Sequence, residues 1–563
     1  MTELTPARPA SSMPRGFRLF LNRPIGAALV LLAFAVLTRI RDFGNPVAHV
    51  DEQYYLLVGD RILHGARLYI DLWDRKPPGL FLLFSGFRLL PGDGFLAYQL
   101  IGTLCTAATG WLIWLAVRRM GLGFPAGLAA GAAYILWLPL LSGGSGQSPV
   151  FYNLAMTAAA VLTLELPRLA ERRAVGAIVI SGAVACLLAG IAIQIKYTPL
   201  VEGAFFGLAH LWYLWRARAN VVVVMSAALA WMLLGLLPTG LVVLSFWLGD
   251  AAAFDAFWFA NFTSITLRRG YPAAKIIGRL AGIGGQLLPL IACAVYSWRK
   301  GPKHPALTLT RIWLGFALIA FAMIGAFFDH YALPLVAPLA LAAAPAFALS
   351  RKAVVAVFTI GAGLFVFHSA TNDPSEGDGI RRMARVMAAV DGRECPYVFA
   401  GDSSLYHLSG GCIPTAYAFP SSLAYEAERG AIGIDESAEV ARILAQRPPA
   451  IVTLDDPSRP GMPRRRHRSP ALWHATIGWS WRSRARSGMS CYTSAATCPF
   501  RQRNKRHGRG CFRHRPRPSP APDKAGATSH ERRRLYPARH LDLGQGKRGT
   551  LRRHQSPRRR GDA

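Results

Sequence analysis

The chain has 563 residues, of which 52% are apolar and 17% charged, with a mean hydropathy of +0.26. Its net charge of +33 would suit a nucleic-acid-binding protein, but residues 458–563 alone hold 28 Lys and Arg against 4 Asp and Glu, which leaves +9 for residues 1–457. The composition therefore excludes a soluble domain for most of the chain and predicts a polytopic membrane protein with no nucleic-acid partner.

Eleven apolar segments of bilayer-spanning length follow one another, and they predict an all-α membrane domain over residues 24–370, after a cytoplasmic segment at 1–23. No small-residue cleavage site follows the first segment, so we expect an uncleaved anchor and not a signal peptide. The predicted spans are 24–40, 95–117, 121–141, 150–166, 174–195, 199–215, 219–248, 276–298, 312–328, 331–349 and 353–368.

Cations in the short loops predict the orientation, because cytoplasmic loops collect Lys and Arg. The N-terminal segment and every second hinge are Arg-rich, whereas loop 142–149 has no cation and loop 194–198 has only Lys196. We therefore expect a cytoplasmic N-terminus in a bacterial inner membrane, with everything after residue 370 outside. The cationic hinges contain Arg118, Arg119, Arg168, Arg172, Arg173, Arg216, Arg218, Arg299, Lys300, Lys303, Arg311, Arg351 and Lys352.

The first outer loop, residues 41–94, is dense in charged and aromatic residues, as in "HVDEQYYLLVGDRILHGARLYIDLWDRKPPGLFLLF". Two stretches in it, "EQYYLLVGDRILHG" and "PPGLFLLFSGFRLL", predict helices lying in the membrane interface. They would hold the acidic pair Asp51 and Glu52 at the membrane surface. A carboxylate there suits sugar transfer from a lipid-phosphate donor, in which one base takes the proton of the attacking hydroxyl and cations stabilise the phosphate leaving group. We predict Asp51 as that base.

Residues 371–457 predict a small α/β domain outside the membrane. A helix in "GIRRMARVMAAVD" is followed by a strand in "PYVFAG", and a helix in "EVARILAQ" by a strand in "AIVTL". Cys395 and Cys412 both fall here, and an oxidising compartment would allow them to form a disulfide. The patterned region has no CxxC or His-rich ligand spacing, so we expect no structural metal, and no cofactor is predicted.

The motifs "HVDEQYY" and "YIDLWDRKPPG" resemble the polytopic GT-C glycosyltransferases, specifically the protein O-mannosyltransferase and aminoarabinose-transferase-like superfamily (glycosyltransferase families 39 and 83). The similarity extends to "FFDHYALPLVAPLALAAA" and "VFAGDSSLYHLSGG" and covers roughly residues 20–457. It implies a catalytic role for Asp51, with Glu52 beside it. It also implies a polyprenyl-phosphate sugar donor and a lipid A, lipopolysaccharide, other glycan or protein acceptor.

Seven other residues are candidates for contact with the donor and its phosphate, and all but Arg75 have a simpler alternative. Lys76 can be an interfacial cation, Lys196 a membrane anchor, and the pair at 268–269 a solvated charge run. The pair at 330–331 can cap a helix. The candidates are Arg75, Lys76, Lys196, Arg268, Arg269, His330 and Tyr331.

Two other functions compete with glycosyl transfer. A secondary transporter or lipid flippase would place ionisable groups near the bilayer midplane and show repeated halves, neither of which is visible in the sequence. A glycan polymerase or ligase would concentrate its charge in a large loop late in the chain.

The last 106 residues, 458–563, contain one Ile, five Leu and no Val, so we expect them to be disordered. A basic arm for RNA or anionic lipid is one interpretation. We favour a frameshifted terminus that begins near residue 460, because the patterned sequence stops there abruptly.

Overall fold

A computed structural model of the chain describes residues 23–371, 376–390, 394–425, 428–454, 479–484 and 489–494. Within these residues a helix lies at each of the eleven predicted spans. In chain order these helices are α1 (Pro24–Leu37), α4 (Phe95–Arg119), α5 (Phe124–Leu140), α6 (Ser148–Leu164), α8 (Val175–Ile193), α9 (Pro199–Arg216), α10 (Val221–Trp247), α13 (Ala273–Lys300), α14 (Pro305–Met323), α15 (Leu333–Leu349) and α16 (Arg351–Thr371). The short helices between them are α2 (Val50–Leu63), α3 (Pro78–Arg88), α7 (Leu166–Glu171), α11 (Ala251–Trp258) and α12 (Ser264–Thr266).

Eight helices in the described part of the chain are long and apolar enough to cross a membrane, and α1 and α5 are shorter apolar helices. The remaining helix, α9, is 18 residues long and carries the buried polar residues Glu202 and His210. The protein is therefore a mostly helical, multi-pass membrane protein.

The largest boundary error concerns the span predicted at 312–328, which is Pro305–Met323 in the structure. The His304 ring accepts a hydrogen bond from the Ala306 amide, and Pro305 occupies the first helical turn, where its missing N–H costs nothing. Arg311, predicted in a hinge, therefore lies inside α14, with its guanidinium 5.9 Å from the centre of the Trp298 ring.

The helices pack closely through small residues, as is usual where helices associate in lipid. A Cβ placed on Gly131 of α5 would lie 3.2 Å from the Gly110 carbonyl carbon of α4, so the two backbones meet there. α15 is the most enclosed of the candidate spans, whereas α10 is mostly exposed, which places it at the periphery of the bundle. The Arg-rich hinges meet at one end of the bundle, where Arg119 pairs with Glu165 at 3.5 Å.

At the opposite end, α2 differs from the interfacial helix that the sequence predicts. Residues 52–60 of α2 are all buried, because α3 covers one side of the helix and residues near Tyr406 cover another. The Arg61 guanidinium donates to the Gly411 carbonyl at 2.7 Å, and the Trp73 amide donates to the Ala416 carbonyl. The first loop and the C-terminal region therefore share one hydrophobic core.

The C-terminal region contains helix α17 (Glu376–Val390), strand β1 (Tyr397–Val398), helices α18 (Ser404–Ser409) and α19 (Glu436–Ala445), and strand β2 (Ala450–Leu454). Apart from α18, which the sequence does not predict, these coincide with the helices and strands expected there, and Ile380, Met383, Met387 and Val390 lie buried on one face of α17. β1 pairs parallel with β2, with Tyr397 opposite Ile451. Cys395 and Cys412 are joined by a disulfide, with Cα atoms 5.2 Å apart.

Two segments of the predicted disordered tail are strands, β3 (Trp479–Arg484) and β4 (Met489–Ser494). β4 pairs antiparallel with β2, which gives a sheet in the order β1-β2-β4-β3. The expectation of disorder therefore fails for these two segments, because the otherwise unpaired edge of β2 accepts backbone hydrogen bonds whatever the side chains are. The rest of residues 458–563, and the N-terminal residues 1–22, lie outside the described part of the chain.

Candidate active site

The end of the bundle that carries Asp51 is built from segments far apart in sequence. The loop that carries Asp51 meets loop 141–147 through Gln147, and meets the turn before α15 through His330. The turn between α8 and α9 reaches the same place, since the Lys196 ammonium lies 4.4 Å from the centre of the Tyr331 ring. The structure thus brings together Asp51, Glu52, Lys76, Lys196, Arg268, His330 and Tyr331 from the predicted set.

Asp51 stands in the first turn of α2, where the helix dipole favours a negative charge. His49, the residue before the first residue of α2, caps this helix: its Nδ1 accepts a hydrogen bond from the Asp51 amide at 3.3 Å. A ring nitrogen that accepts an N–H hydrogen bond carries no proton of its own. His49 is therefore neutral, with its ring proton on Nε2.

The Asp51 carboxylate is 13% exposed, and three side-chain nitrogens lie near its Oδ2. The Gln147 amide nitrogen lies 3.1 Å from Oδ2, His330 Nε2 lies 3.6 Å away, and His49 Nδ1 lies 3.9 Å away. Burial acts to raise the pKa of Asp51, but the Lys76 charge, the two histidines and the Gln147 hydrogen bond hold it well below its usual range. Asp51 is thus ionised at neutral pH and able to accept a proton only from a group made acidic by reaction.

Three cations surround Tyr331, and we call Lys76, Lys196 and Arg268 the Tyr331 cation cluster. Burial acts to lower the pKa of Lys76, but Asp74, whose Oδ2 lies 3.3 Å from Nζ, and Asp51 raise it. Burial and the neighbouring Lys76 charge lower the pKa of Lys196 to about 7. Arg268 lies within hydrogen-bond reach of the Tyr331 hydroxyl. An anion entering this cluster would meet one permanently charged lysine, one lysine poised to gain a proton, and one guanidinium.

The other two predicted phosphate contacts are Arg75 and Arg269. The Arg75 guanidinium donates to Glu428 at 2.6 Å, to Ser264 at 3.1 Å and to the Ala431 carbonyl at 2.9 Å, so it joins the first loop to the C-terminal region. Arg268 donates to the other oxygen of the same carboxylate at 2.6 Å. Arg269 is exposed.

Glu52 is fully buried behind Asp51. Burial raises its pKa to about 8, although the Gly146 amide and the Ser145 hydroxyl lie close enough to oppose the rise. Among the described residues, neither carboxylate oxygen has a hydrogen-bond partner of ordinary geometry. Glu52 is therefore mostly neutral at pH 7 and does not compete with Asp51 as a base.

His49, Asp51 and His330 also offer one ligand atom each within 4.8 Å of the others, which is a spacing that a divalent cation can use. Two features oppose a cation there. The Nδ1 atom of His49 is already occupied by the helix cap, and the ammonium groups of Lys76 and Lys196 interact electrostatically with Asp51. The arrangement fits a carboxylate between two imidazoles better than a metal centre.

Sequence reasoning missed Gln147 and Glu428. Gln147 ends the segment "GGSGQ" at 143–147, which carries no recognisable signal in the sequence. Glu428 stands in a loop of the C-terminal region with no recognisable motif. His49 was visible as the first letter of "HVDEQYY", but its capping role was not, because His is not among the residues preferred at a helix N-cap.

No family model and no curated protein matches the chain. Among solved structures, the chain is similar to the crystal structure of ArnT from Cupriavidus metallidurans bound to undecaprenyl phosphate, with a TM-score of 0.57 and 14% identity. The match covers 86% of this chain and 99% of that one. The apo structure of the same protein matches with the same TM-score and identity, over 84% of this chain and 98% of that one. The chain has the ArnT fold. The resemblance to the GT-C aminoarabinose-transferase-like superfamily is thereby confirmed at the level of the fold.

Proposed function

We propose that the protein is an integral-membrane glycosyltransferase that moves a sugar from a polyprenyl-phosphate donor to a lipid, glycan or protein acceptor, with Asp51 as the catalytic base. The observation that carries the proposal is the position of one ionised carboxylate beside the Tyr331 cation cluster. The similarity to an ArnT structure that holds undecaprenyl phosphate supports a donor carried on a lipid phosphate.

In the proposed reaction the acceptor hydroxyl oxygen attacks the anomeric carbon of the sugar. The bond from that carbon to the phosphate oxygen breaks, its electron pair leaves with the polyprenyl phosphate, and the hydroxyl proton passes to Asp51. Lys76, Lys196 and Arg268 stabilise the charge that develops on the phosphate. In this proposal Tyr331 and His330 line the space between Asp51 and the three cations. A single displacement of this kind inverts the anomeric centre.

We further propose that all eleven helices cross the inner membrane, with the N-terminus in the cytoplasm and the Asp51 end outside. The Arg-rich hinges lie at the end opposite Asp51, as cytoplasmic loops should. The Cys395–Cys412 disulfide supports an oxidising compartment for the C-terminal region. A reporter fused after Arg216 should read cytoplasmic and one fused after Asp373 extracytoplasmic, and the reverse reading at either point would contradict this topology.

The test of the activity compares Asp51→Asn with the unchanged protein. The full-length protein is purified and supplied with the polyprenyl-phosphate sugars and the surface glycolipids of its own cells, and released undecaprenyl phosphate is measured. Loss of a general base should lower the rate by about 10²–10⁴-fold. Binding of undecaprenyl phosphate should persist, because the cations that contact phosphate are unchanged.

Asp71→Asn is the matched control, because Asp71 is an exposed carboxylate in the same loop that pairs with Arg67. It should leave turnover unchanged. Near-normal turnover in Asp51→Asn, at normal thermal stability, would remove Asp51 from the mechanism. Mass analysis of surface glycolipids with and without the gene would name the sugar and the acceptor.

A further inference from the structure

Gln147 is held in place by a tightly packed loop. The loop joins α5 to α6, and Gln147, which is fully buried, precedes the first residue of α6. A Cβ on Gly146 would overlap the Tyr98 ring, and a Cβ on Gly143 would lie 3.0 Å from the Leu138 carbonyl oxygen and 2.5 Å from the Leu333 side chain. The glycines of this segment therefore allow the backbone to approach its neighbours closely, which fixes the direction in which Gln147 points.

The amide of Gln147 contacts two residues of the candidate active site. Its nitrogen lies 3.1 Å from Oδ2 of Asp51, and lies 2.5 Å from Nδ1 and 3.3 Å from Nε2 of His49. An amide nitrogen in the ring plane and on the Nδ1 lone pair would lie much farther than 3.3 Å from Nε2, so the amide lies against the imidazole face and its hydrogen bond goes to the carboxylate. Among the described residues, Oδ1 of Asp51 accepts no hydrogen bond. Oδ2 is thus anchored and Oδ1 is left available.

We propose that Gln147 is a positioning residue for the transferase: its neutral amide anchors Oδ2 of Asp51 and turns Oδ1 toward the acceptor hydroxyl. The inference rests on the proposed function, and it adds a residue 96 positions away from the base. A neutral donor suits this place because it orients the carboxylate without adding a charge that would alter the basicity of Asp51 further.

The protonation of Asp51 depends on every charged and titratable group around it. On its own segment these are His49, Glu52 and Tyr55; from other segments they are Lys76, Lys196, His330 and Tyr331. Gln147 is itself neutral, so replacing it with an acid adds a negative charge beside Oδ2 of Asp51 and removes none of these charged groups.

The experiment is the pH profile of kcat for Gln147→Glu, measured as release of undecaprenyl phosphate by the full-length protein. The substitution places a second carboxyl about 3 Å from Oδ2, and two carboxylates so close share one proton. The pKa of the pair should rise, and kcat should gain an acid limb between about pH 5 and pH 7 that the unchanged protein lacks. Gln147→Ala should lower kcat by about tenfold or more without a new limb, because only a hydrogen bond to a charged group is lost.

Gln53→Glu is the matched control. Gln53 also donates to a buried carboxylate, Asp402, at 2.9 Å, but it faces the C-terminal region. It should share any loss of stability caused by burying a new acid, and its kcat should show no new acid limb. Undecaprenyl phosphate should bind all three variants with unchanged affinity.

A Gln147→Glu profile parallel to that of the unchanged protein would overturn the proposal, and so would a Gln147→Ala defect confined to undecaprenyl phosphate binding. Infrared titration of the Asp51 carboxyl, assigned by its loss in Asp51→Asn, separates this inference from the proposed function. If the unchanged protein transfers no sugar, a higher Asp51 pKa in Gln147→Glu still supports the contact, whereas an unaltered pKa refutes it.

Discussion

Lys196 should make binding of the lipid phosphate depend on pH. Its pKa of about 7 means that about nine tenths of the side chain is charged at pH 6 and about one tenth at pH 8. A bound phosphate favours the charged form, so binding raises the pKa and takes up a proton. The affinity for the lipid phosphate is therefore highest well below pH 7 and decreases as pH rises. The decrease is about tenfold between pH 6 and pH 8 if only the charged form of Lys196 binds.

The assay measures the Kd of undecaprenyl phosphate for the full-length protein in lipid nanodiscs at several pH values. The second ionisation of the phosphate, near pH 6, acts in the opposite direction, and it acts equally in all variants. Lys196→Arg is the reference, because a guanidinium stays charged throughout this range. The Kd of the unchanged protein divided by the Kd of Lys196→Arg should rise with pH. Lys196→Met should bind undecaprenyl phosphate weakly at every pH.

Equal pH dependence of Kd in the unchanged protein and in Lys196→Arg would refute the reasoning. It would show either that Lys196 is charged throughout or that it does not face the phosphate. Lys196→Met distinguishes these two outcomes, since only a lysine that contacts the phosphate weakens binding when its charge is removed.

Three further predictions concern Glu52, Glu428 and the tail. Glu52→Gln should keep turnover within about threefold, because Gln resembles the neutral acid. The pKa of Glu52 is raised to about 8 in the folded protein, so this residue destabilises the fold increasingly as the pH rises from the pKa of an unfolded Glu toward 8. Glu52→Gln removes this cost and should therefore raise Tm more at pH 8 than at pH 5. Glu428→Gln should lower the free energy of unfolding by about 2–4 kcal/mol, since it leaves Arg75 and the 30% exposed Arg268 without a countercharge; an unchanged denaturation midpoint would contradict the role of this ion pair. Truncation after Pro457 should lower Tm, because β2 loses its partner β4, whereas truncation after Ser494 should not; equal melting of both would show that the β3–β4 hairpin contributes nothing.

The helices were predictable because a membrane helix must satisfy its own backbone and present about twenty apolar residues to lipid, both of which are local properties. The burial of α2 was not predictable in the same way. Its polar residues suggested one solvent-exposed face. In the structure, however, Gln53 and Arg61 form hydrogen bonds with residues 402 and 411, more than 340 positions later in the chain. Hydropathy also placed Arg311 outside a span, since a local average takes no account of the Trp298 ring beside its guanidinium.

The adjacent residues Arg75 and Lys76 show why the motif alone could not define the site. Both are cations in "DRKPPG", and both were expected at the donor phosphate. In the structure their side chains leave the backbone in different directions: Lys76 lies over the Tyr55 ring and acts on Asp51, whereas Arg75 is engaged by Glu428. All three guanidinium nitrogens of Arg75 are engaged, by Ser264, Glu428 and the Ala431 carbonyl, whereas Arg268 donates to Glu428 through Nη2 alone among the described residues. Arg75 would therefore have to give up a partner to bind a phosphate, and Arg268 would not. The division of roles thus depends on Glu428, which the chain supplies 353 residues after Arg75, and not on the charge of either residue.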